Sequence, residues 1–313
     1  MHCRAGAGRG VIVTEPAEFA RLATPQRFPP RAPATARGAF LVAPLGMRLA
    51  AESAGDNRYM AMSERFEPDR AVIEHVRLAQ RLSSALPVVT FPGDPATPDA
   101  VFPNNVFATI PGHAIVGRMR HAVRRREAER TDIRAWFADV LRYRQIDLSR
   151  GDFVAELTGA LVIDRARGIG FAGLSERCDL AGAWAMHAAF GLRLMFCFAL
   201  APCEYHANVV MSVLGGRGLV IAPDGFADPA AAAAIASFYG DAVVTLTPTQ
   251  KADYAGNCIA LGQAAWFSER AAEALDPAQR AAIESWGFAL ETVDLTELEK
   301  AGGSLRCCVG EVF

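Results

Sequence analysis

The sequence ends in Gly302-Gly303-Ser304-Leu305-Arg306-Cys307-Cys308-Val309-Gly310-Glu311-Val312-Phe313. Two adjacent cysteines follow an arginine in this mostly apolar stretch. A thiolate is a strong nucleophile, so either thiol is a candidate for nucleophilic chemistry. If the stretch is a strand, adjacent side chains face opposite sides, so one thiol would face a site while the other packs.

Two earlier segments also place reactive groups in apolar surroundings. They are Phe153-Val154-Ala155-Glu156-Leu157-Thr158-Gly159 and Glu204-Tyr205-His206-Ala207-Asn208-Val209-Val210-Met211. A thiol, an imidazole and a carboxylate are the parts of a nucleophilic catalyst, because the histidine moves protons and the acid orients it. Spacing alone is equally compatible with a buried cysteine pair, a hydrogen-bonded histidine and a salt-bridged glutamate.

The composition is that of a globular protein with a full core. The chain has 313 residues, 51% of them hydrophobic and 21% charged, which allows one large domain or two ordinary ones. Its formal net charge of -2 gives no reason to expect nucleic acid or an anionic membrane as partner, so we expect a small-molecule substrate. The basic run 118–130 alternates with glutamates, which is typical of a solvated helix face.

The cysteines and the apolar runs bear on location and cofactors. Seven cysteines without a CxxC pair indicate reduced thiols and a cytoplasmic location. The apolar stretch 180–203 is interrupted by His187, Arg193 and Pro202, so we expect no membrane span. His206 and Cys203 lack a second pair of ligands, and no glycine-rich phosphate loop is present, so we expect neither a metal nor a cofactor.

The pattern along the chain predicts a short leader and one large domain. Residues 1–37 are rich in Ala, Arg, Pro and Gly, and we expect a loosely attached leader with one short strand at Gly10–Val13. From residue 38 to residue 313, strands and helices alternate, with apparent hairpins at 164–168 and 215–218. This pattern favours a mixed α/β domain with antiparallel pairs over a doubly wound parallel sheet.

Taken together, these motifs resemble the guanidino-group-modifying, or pentein, superfamily of amidinotransferases, deiminases and dimethylarginine hydrolases. The amidinotransferase-like branch, which includes citrulline-utilising hydrolases, is the most similar. The segments that carry the resemblance are Glu52-Ser53-Ala54-Gly55-Asp56-Asn57, Asp99-Ala100-Val101-Phe102-Pro103-Asn104-Asn105, Arg124-Arg125-Arg126-Glu127, the Glu156 segment, Leu174-Ser175-Glu176-Arg177-Cys178-Asp179, Tyr205-His206-Ala207-Asn208-Val209, Ala255-Gly256-Asn257 and the terminal Gly-Gly-Ser-x-Arg-Cys.

The resemblance implies a five-bladed α/β propeller of pseudosymmetric ββαβ units with the active site at its central channel. It also implies that Cys307 is the nucleophile, that His206 is the general acid/base, and that Glu156 is the acid that partners the substrate or the histidine. Cys307 rather than Cys308 matches the motif, because it directly follows the Ser-x-Arg run.

Two asparagines depart from the pattern of enzymes that act on arginine-like cations. Asn105 and Asn208 stand where members of the superfamily carry aspartates that pair with a guanidinium. An amide both donates and accepts, so it suits a neutral ureido group such as that of citrulline. The same asparagines could instead cap turns or strands. Leu157, where the family usually has glycine, would narrow the pocket beside Glu156.

Two further residues are candidates for binding substrate. Asp99 resembles an acid of the family's pocket, although an aspartate after Thr-Pro is also a common turn residue. Arg177 could bind a substrate carboxylate through two hydrogen bonds, or it could form a surface salt bridge with Glu176 or Asp179.

We therefore predict a cysteine hydrolase of arginine metabolism that acts on carbon–nitrogen bonds other than peptide bonds. The predicted reaction is citrulline to ornithine through a covalent thioester-type intermediate. The alternatives are a deiminase for arginine, agmatine or dimethylarginine, an amidinotransferase, and a propeller that binds a partner without using the triad. The resemblance also allows a homodimer.

Overall fold

The computed structural model describes residues 10–313. Their strands are β1 Val11–Val13, β2 Gly38–Val42, β3 Val88–Phe91, β4 Phe107–Ile110, β5 His113–Val116, β6 Arg144–Asp147, β7 Leu161–Asp164, β8 Ile169–Leu174, β9 Leu194–Ala199, β10 Met211–Leu214, β11 Gly218–Ile221, β12 Val243–Thr245, β13 Ile259–Leu261, β14 Ala264–Ser268, β15 Ala289–Val293 and β16 Gly310–Val312.

Helices connect these strands, and most of them are short. They are α1 Pro16–Leu22, α2 Ala51–Ala54, α3 Pro68–Ser83, α4 Ala122–Arg125, α5 Thr131–Ala135, α6 Leu157–Ala160, α7 Leu180–Phe190, α8 Ala207–Val210, α9 Pro229–Tyr239, α10 Pro248–Ala252, α11 Glu269–Ala274, α12 Pro277–Ser285, α13 Thr296–Glu299 and α14 Leu305–Cys308. Tighter 3-10 turns cover Pro103–Asn105, Arg126–Glu129 and Pro223–Gly225, and a π turn covers Trp136–Val140. None of the described helices is long and apolar enough to cross a bilayer.

The described strands form five small sheets that repeat one pattern. In each sheet an antiparallel pair is followed by a helical connection and a strand parallel to the second one, which is the predicted ββαβ unit. The sheets have the strand orders β16-β2-β3, β4-β5-β6, β7-β8-β9, β10-β11-β12 and β13-β14-β15. The five-bladed α/β propeller predicted from the resemblance is confirmed.

The last strand closes the ring. β16 pairs antiparallel with β2, with Gly310 opposite Phe40 and Val312 opposite Gly38, so one blade contains strands from the two ends of the domain. Thr109 in the next blade donates its hydroxyl to the Glu311 carbonyl at 2.9 Å. The terminal stretch is therefore held in the centre of the molecule by two neighbouring blades.

A short turn precedes the first strand of each blade and carries the polar residues. The turns are Pro103–Asn105, α6, α8, α14 and the turn that ends at Asn257 before β13. They contact one another, as α6 does with both α8 and Pro103–Asn105. Cys307 and Cys308 thus lie on a helical turn, and the expectation that they alternate along a strand was wrong. Pro103 opens a 3-10 turn, so β4 begins only at Phe107.

Residues 10–37 are packed against the third blade. The strand expected at Gly10–Val13 is present as β1, which extends that sheet by pairing parallel with β9. Phe19 of α1 is fully buried, and its ring stacks on Phe196 with centroids 4.8 Å apart. For residues 10–37 the loose attachment that we expected from composition was wrong, because Val13, Phe19, Ala23 and Phe28 are buried in the core that includes β9. Residues 1–9 of the predicted leader lie outside the described residues.

Candidate active site

Glu156 and His206 form a buried pair at the centre of the propeller. Nε2 of His206 lies 2.8 Å from Oε2 of Glu156, and both side chains are fully buried. Burial opposes ionisation of Glu156, but the neighbouring Arg177 and the bond to His206 outweigh it and hold the pKa of this carboxyl well below its usual range. Glu156 is therefore a carboxylate that can orient the imidazole.

The pairing sets the tautomer of the histidine. Since ionised Glu156 can only accept, Nε2 of His206 carries the hydrogen and donates it, which leaves Nδ1 as the acceptor. Nδ1 is buried and has no hydrogen-bond partner among the described residues. Burial lowers the pKa of His206, although the Glu156 carboxylate opposes the shift. A neutral imidazole with a free Nδ1 is suited to take up and return a proton.

Cys307 is held by two side-chain amides. Nδ2 of Asn257 lies 3.3 Å from its Sγ and Nδ2 of Asn208 lies 3.6 Å away, and its own N–H donates to Oδ1 of Asn257. Burial raises the pKa of the thiol, although the hydrogen bond from Asn257 lowers it in part. The side chain of Cys308 is also buried, and burial raises the pKa of its thiol well above the usual range. The amide contacts distinguish Cys307 from its neighbour.

Unpaired amide atoms lie in the turn Pro103–Asn105. Both side-chain atoms of Asn104 and Oδ1 of Asn105 are buried and make no hydrogen bond within residues 10–313. A Cβ placed on Gly159 would lie 2.3 Å from Oδ1 of Asn105 and 2.7 Å from Cε1 of His206. The asparagine and the histidine therefore face each other across Gly159. Buried amides are normally satisfied, so these atoms indicate a polar ligand.

Arg177 is buried rather than exposed and is fully engaged. Its Nε and Nη2 bind the two carboxylate oxygens of Asp56, Nη1 lies 3.2 Å from Oε2 of Glu156, and Nη2 also donates to the Ser53 carbonyl. The prediction of a surface salt bridge between Arg177 and Glu176 or Asp179 was wrong. Glu176 pairs instead with Arg120 at 3.0 Å. Arg177 thus tethers the 51–57 segment to Glu156.

Asp99 lies in the same network. Its carboxylate accepts the Ser53 hydroxyl at 2.5 Å, and its carbonyl accepts a bond from Arg124, which forms a buried bidentate pair with Glu127. The sequence argument did not single out Asp56, Asn104, Arg124 and Asn257. All four lie in the segments that carry the family resemblance, and that was the signal that could have identified them.

The site is enclosed on the side of residues 51–60. Cys307 is only 2% exposed and His206 is fully buried. The Gly302 carbonyl accepts hydrogen bonds from Nδ2 of Asn57, at 3.2 Å, and from the hydroxyl of Tyr205. These contacts tie Asn57 and Tyr205 to the turn that precedes α14. Residues 10–313 contain no group of three or more His, Cys, Asp or Glu side chains placed to hold a metal ion.

Comparison with known proteins agrees with this architecture. The family model of eukaryotic N,N dimethylarginine dimethylhydrolase matches residues 43–313. Among solved structures, the substrate-bound N-terminal domain of ArgZ, an arginine dihydrolase of the cyanobacterial ornithine-ammonia cycle, superposes with a TM-score of 0.77. The identity is 19%, and the match covers 88% of this chain and 97% of that domain.

Two more solved structures share the fold. A dimethylarginine dimethylaminohydrolase variant, bound as an adduct with S-methyl-L-thiocitrulline, has a TM-score of 0.68 at 19% identity over 88% of this chain and 100% of that one. AgrE in complex with ornithine and NAD+ has a TM-score of 0.76 at 19% identity over 88% of this chain and 39% of that one. A search of curated protein sequences found no match.

The propeller and its central site define a guanidino-group-modifying enzyme of the pentein superfamily. Because the family model spans most of its length, the chain belongs to the eukaryotic N,N dimethylarginine dimethylhydrolase family. It is a hydrolase that acts on carbon–nitrogen bonds other than peptide bonds.

Proposed function

We propose that this protein uses Cys307 as the nucleophile, His206 as the general acid/base and Glu156 as the carboxylate that orients the histidine. The observation that carries the proposal is the buried His206–Glu156 pair, in which Nδ1 of the histidine has no partner within residues 10–313, together with a buried thiol held by two amides. The substrate is a small amino acid with a ureido or guanidino group, and no cofactor takes part.

The proposed mechanism has two half-reactions that share one acid/base. Sγ of Cys307 attacks the central carbon of the group after its proton has passed to His206, and His206 then protonates the leaving nitrogen. Water attacks the resulting thioester-type carbon and gives its proton to the same histidine, so the thiol is restored. With citrulline the leaving nitrogen is that of ornithine, so the intermediate is a carbamoyl thioester on Cys307. Its hydrolysis breaks the carbon–sulfur bond and releases carbamic acid, which decomposes to ammonia and carbon dioxide.

The amides favour a neutral ureido substrate. Asn208 and Asn257 lie next to Sγ of Cys307, and Oδ1 of Asn105 adds an acceptor that no other group of the described chain pairs with. The nearby carboxylates of Glu156, Asp56 and Asp99 are already hydrogen-bonded within the protein. A guanidinium would have to compete with these internal donors for a carboxylate, whereas a ureido group can exchange donors and acceptors with the amides.

Arginine is the second candidate. The reason is the likeness to ArgZ, an arginine dihydrolase, together with membership of the dimethylarginine family. An arginine-type substrate needs an anionic partner in the pocket. We therefore expect Asn105→Asp to raise activity on arginine or dimethylarginine and to lower activity on citrulline.

Ammonia and ornithine release with L-citrulline, L-arginine, agmatine and dimethylarginine in parallel tests the proposal. Wild type, Cys307→Ser and the matched control Cys308→Ser are compared. We expect citrulline turnover in wild type and Cys308→Ser and none in Cys307→Ser. Turnover of arginine alone would overturn the ureido assignment but keep the nucleophile, and activity that survives in Cys307→Ser would overturn the nucleophile.

We further propose that residues 38–313 form one catalytic domain, to which β1 and α1 are attached, and that the protein works in the cytoplasm as a homodimer. The cysteines among the described residues are free thiols, which suits a reducing compartment. Sedimentation of the purified protein tests the dimer, and a single monomeric species at micromolar concentration would contradict it.

A further inference from the structure

A small polar cavity lies next to Asn208, one of the two amides that hold the candidate nucleophile. Asn208, whose amide contacts Sγ of Cys307, lines this cavity together with Thr158, Arg165 and Gly215. The volume of the cavity that water can occupy is about 40 Å³. Since one water molecule needs about 10–15 Å³ on this measure, there is room for a few heavy atoms.

The charges that line the cavity do not balance. Arg165 and Arg306 are its cations, and Glu311 is the only acid among the lining residues. Oε2 of Glu311 accepts from Nη2 of Arg306 at 2.9 Å, and Nη2 of Arg165 lies farther from the same oxygen, at 3.8 Å. Two guanidinium groups therefore share one carboxylate, which leaves one excess positive charge.

Of the two cavity arginines, Arg165 is the one with an unpaired nitrogen within residues 10–313. Its Nη2 is buried and has no hydrogen-bond partner within residues 10–313, while its Nη1 donates to the Thr109 carbonyl at 3.0 Å. The rings of Phe190 and Phe313 lie 5.3 and 4.3 Å from its guanidinium carbon. The aromatic rings and the Thr109 carbonyl hold the guanidinium in place. Burial lowers the pKa of Arg165 to about 10, as expected for a cation without full compensation.

We propose that this cavity binds one small monovalent anion, of the size of nitrate or formate, between Arg165 and Arg306, and that the bound anion lowers the reactivity of Cys307. Arg306 directly precedes Cys307, and its positive charge favours the thiolate. An anion bound beside Arg306 offsets that charge and stabilises the neutral thiol. The anion thus inhibits the enzyme from this cavity and does not occupy the substrate's binding place.

Thermal unfolding in chloride-free buffer tests binding, with nitrate compared with gluconate at equal ionic strength. Gluconate is too large for the cavity and controls for ionic strength. We expect nitrate to raise the unfolding temperature of wild type and of Arg217→Gln saturably, and to have no such effect on Arg165→Gln. Arg217 is an exposed arginine that does not line the cavity, so it is the matched control.

Alkylation of Cys307 by iodoacetamide, followed by mass spectrometry, tests the coupling. We expect saturating nitrate to slow the reaction of wild type by about twofold or more. This is the effect that one unit charge has on a thiolate at a distance of roughly 8 Å in a water-like medium. Neither readout requires a substrate, so failure here is distinct from failure of the proposed function.

Glu311→Gln provides a second variant with the opposite expected sign. It removes the carboxylate that competes with the anion, so half-saturation should occur at a lower nitrate concentration than in wild type. Equal effects of nitrate and gluconate on wild type, an unchanged response in Arg165→Gln, or weaker nitrate binding in Glu311→Gln would each overturn the anion site. If Arg165→Gln does not fold, the comparison of Glu311→Gln with wild type decides.

Discussion

Replacing Glu156 by Gln tests the role of the buried pair most sharply. Glu156 accepts hydrogen bonds from Nε2 of His206 at 2.8 Å, from Nη1 of Arg177 at 3.2 Å and from the Arg120 backbone N–H at 3.0 Å. The amide keeps the shape of the carboxylate but removes the charge beside two buried groups. Loss of one partner of a buried ion pair costs about 3–5 kcal/mol of stability.

The same substitution should disable the histidine. An amide can turn its NH2 toward Nε2, which favours the tautomer with the hydrogen on Nδ1 and removes the acceptor that the mechanism needs. The equivalent loss of tautomer control in a hydrolytic triad lowers kcat by about 10⁴-fold. We therefore expect kcat to fall by about 10³–10⁴-fold, with a smaller change in KM.

The assay combines steady-state ornithine release with urea unfolding. Glu74→Gln is the matched control, because Glu74 is also a buried carboxylate that accepts backbone N–H bonds, from Glu297 and Leu298, but lies in α3 outside the site. We expect Glu74→Gln to lose stability and keep kcat. A Glu156→Gln protein that folds and retains more than about a tenth of wild-type kcat would refute the reasoning.

Three further predictions concern the thiol, a buried histidine and a glycine. Because burial raises the pKa of Cys307, its alkylation rate should keep rising with pH beyond 9, and a plateau near pH 7 would contradict the neutral resting thiol. Burial lowers the pKa of His75 from 6.5 to about 4, so between these pH values the unfolded chain binds a proton that the folded protein does not. The folded protein should therefore lose about 3 kcal/mol of stability as the pH falls from 6.5 toward 4. In His75→Leu the free energy of unfolding, measured with urea, should fall less between pH 6.5 and pH 4 than in wild type. An equal fall in the two proteins would contradict this prediction. Gly159→Ala should reduce kcat by more than about 100-fold, because its Cβ would clash with Asn105 and His206. The control Gly112→Ala, whose Cβ would contact no atom, should keep kcat despite some backbone strain. Equal activities of the two variants would count against the site.

The motifs predicted the five blades through the family resemblance that they carry. The roles of Glu156, His206 and Cys307 stay predictions. The partner of Arg177 could not be predicted, since Asp56 lies 121 residues away and only the closed ring brings them together. The helical turn at Cys307 was missed because apolar residues alone do not distinguish a short helix from a buried strand. Packing of Phe19 against Phe196 also depends on a long-range contact that composition does not reveal.

The central claim is that Cys307 forms a covalent bond with the carbon of the substrate. Acid quenching of wild type during turnover of citrulline and of arginine, followed by peptide mass spectrometry, tests it most directly. The account predicts a labile adduct on Cys307 with the substrate that is turned over, and none in Cys307→Ser. An adduct on Cys308 in its place, or turnover that continues in Cys307→Ser, would contradict it.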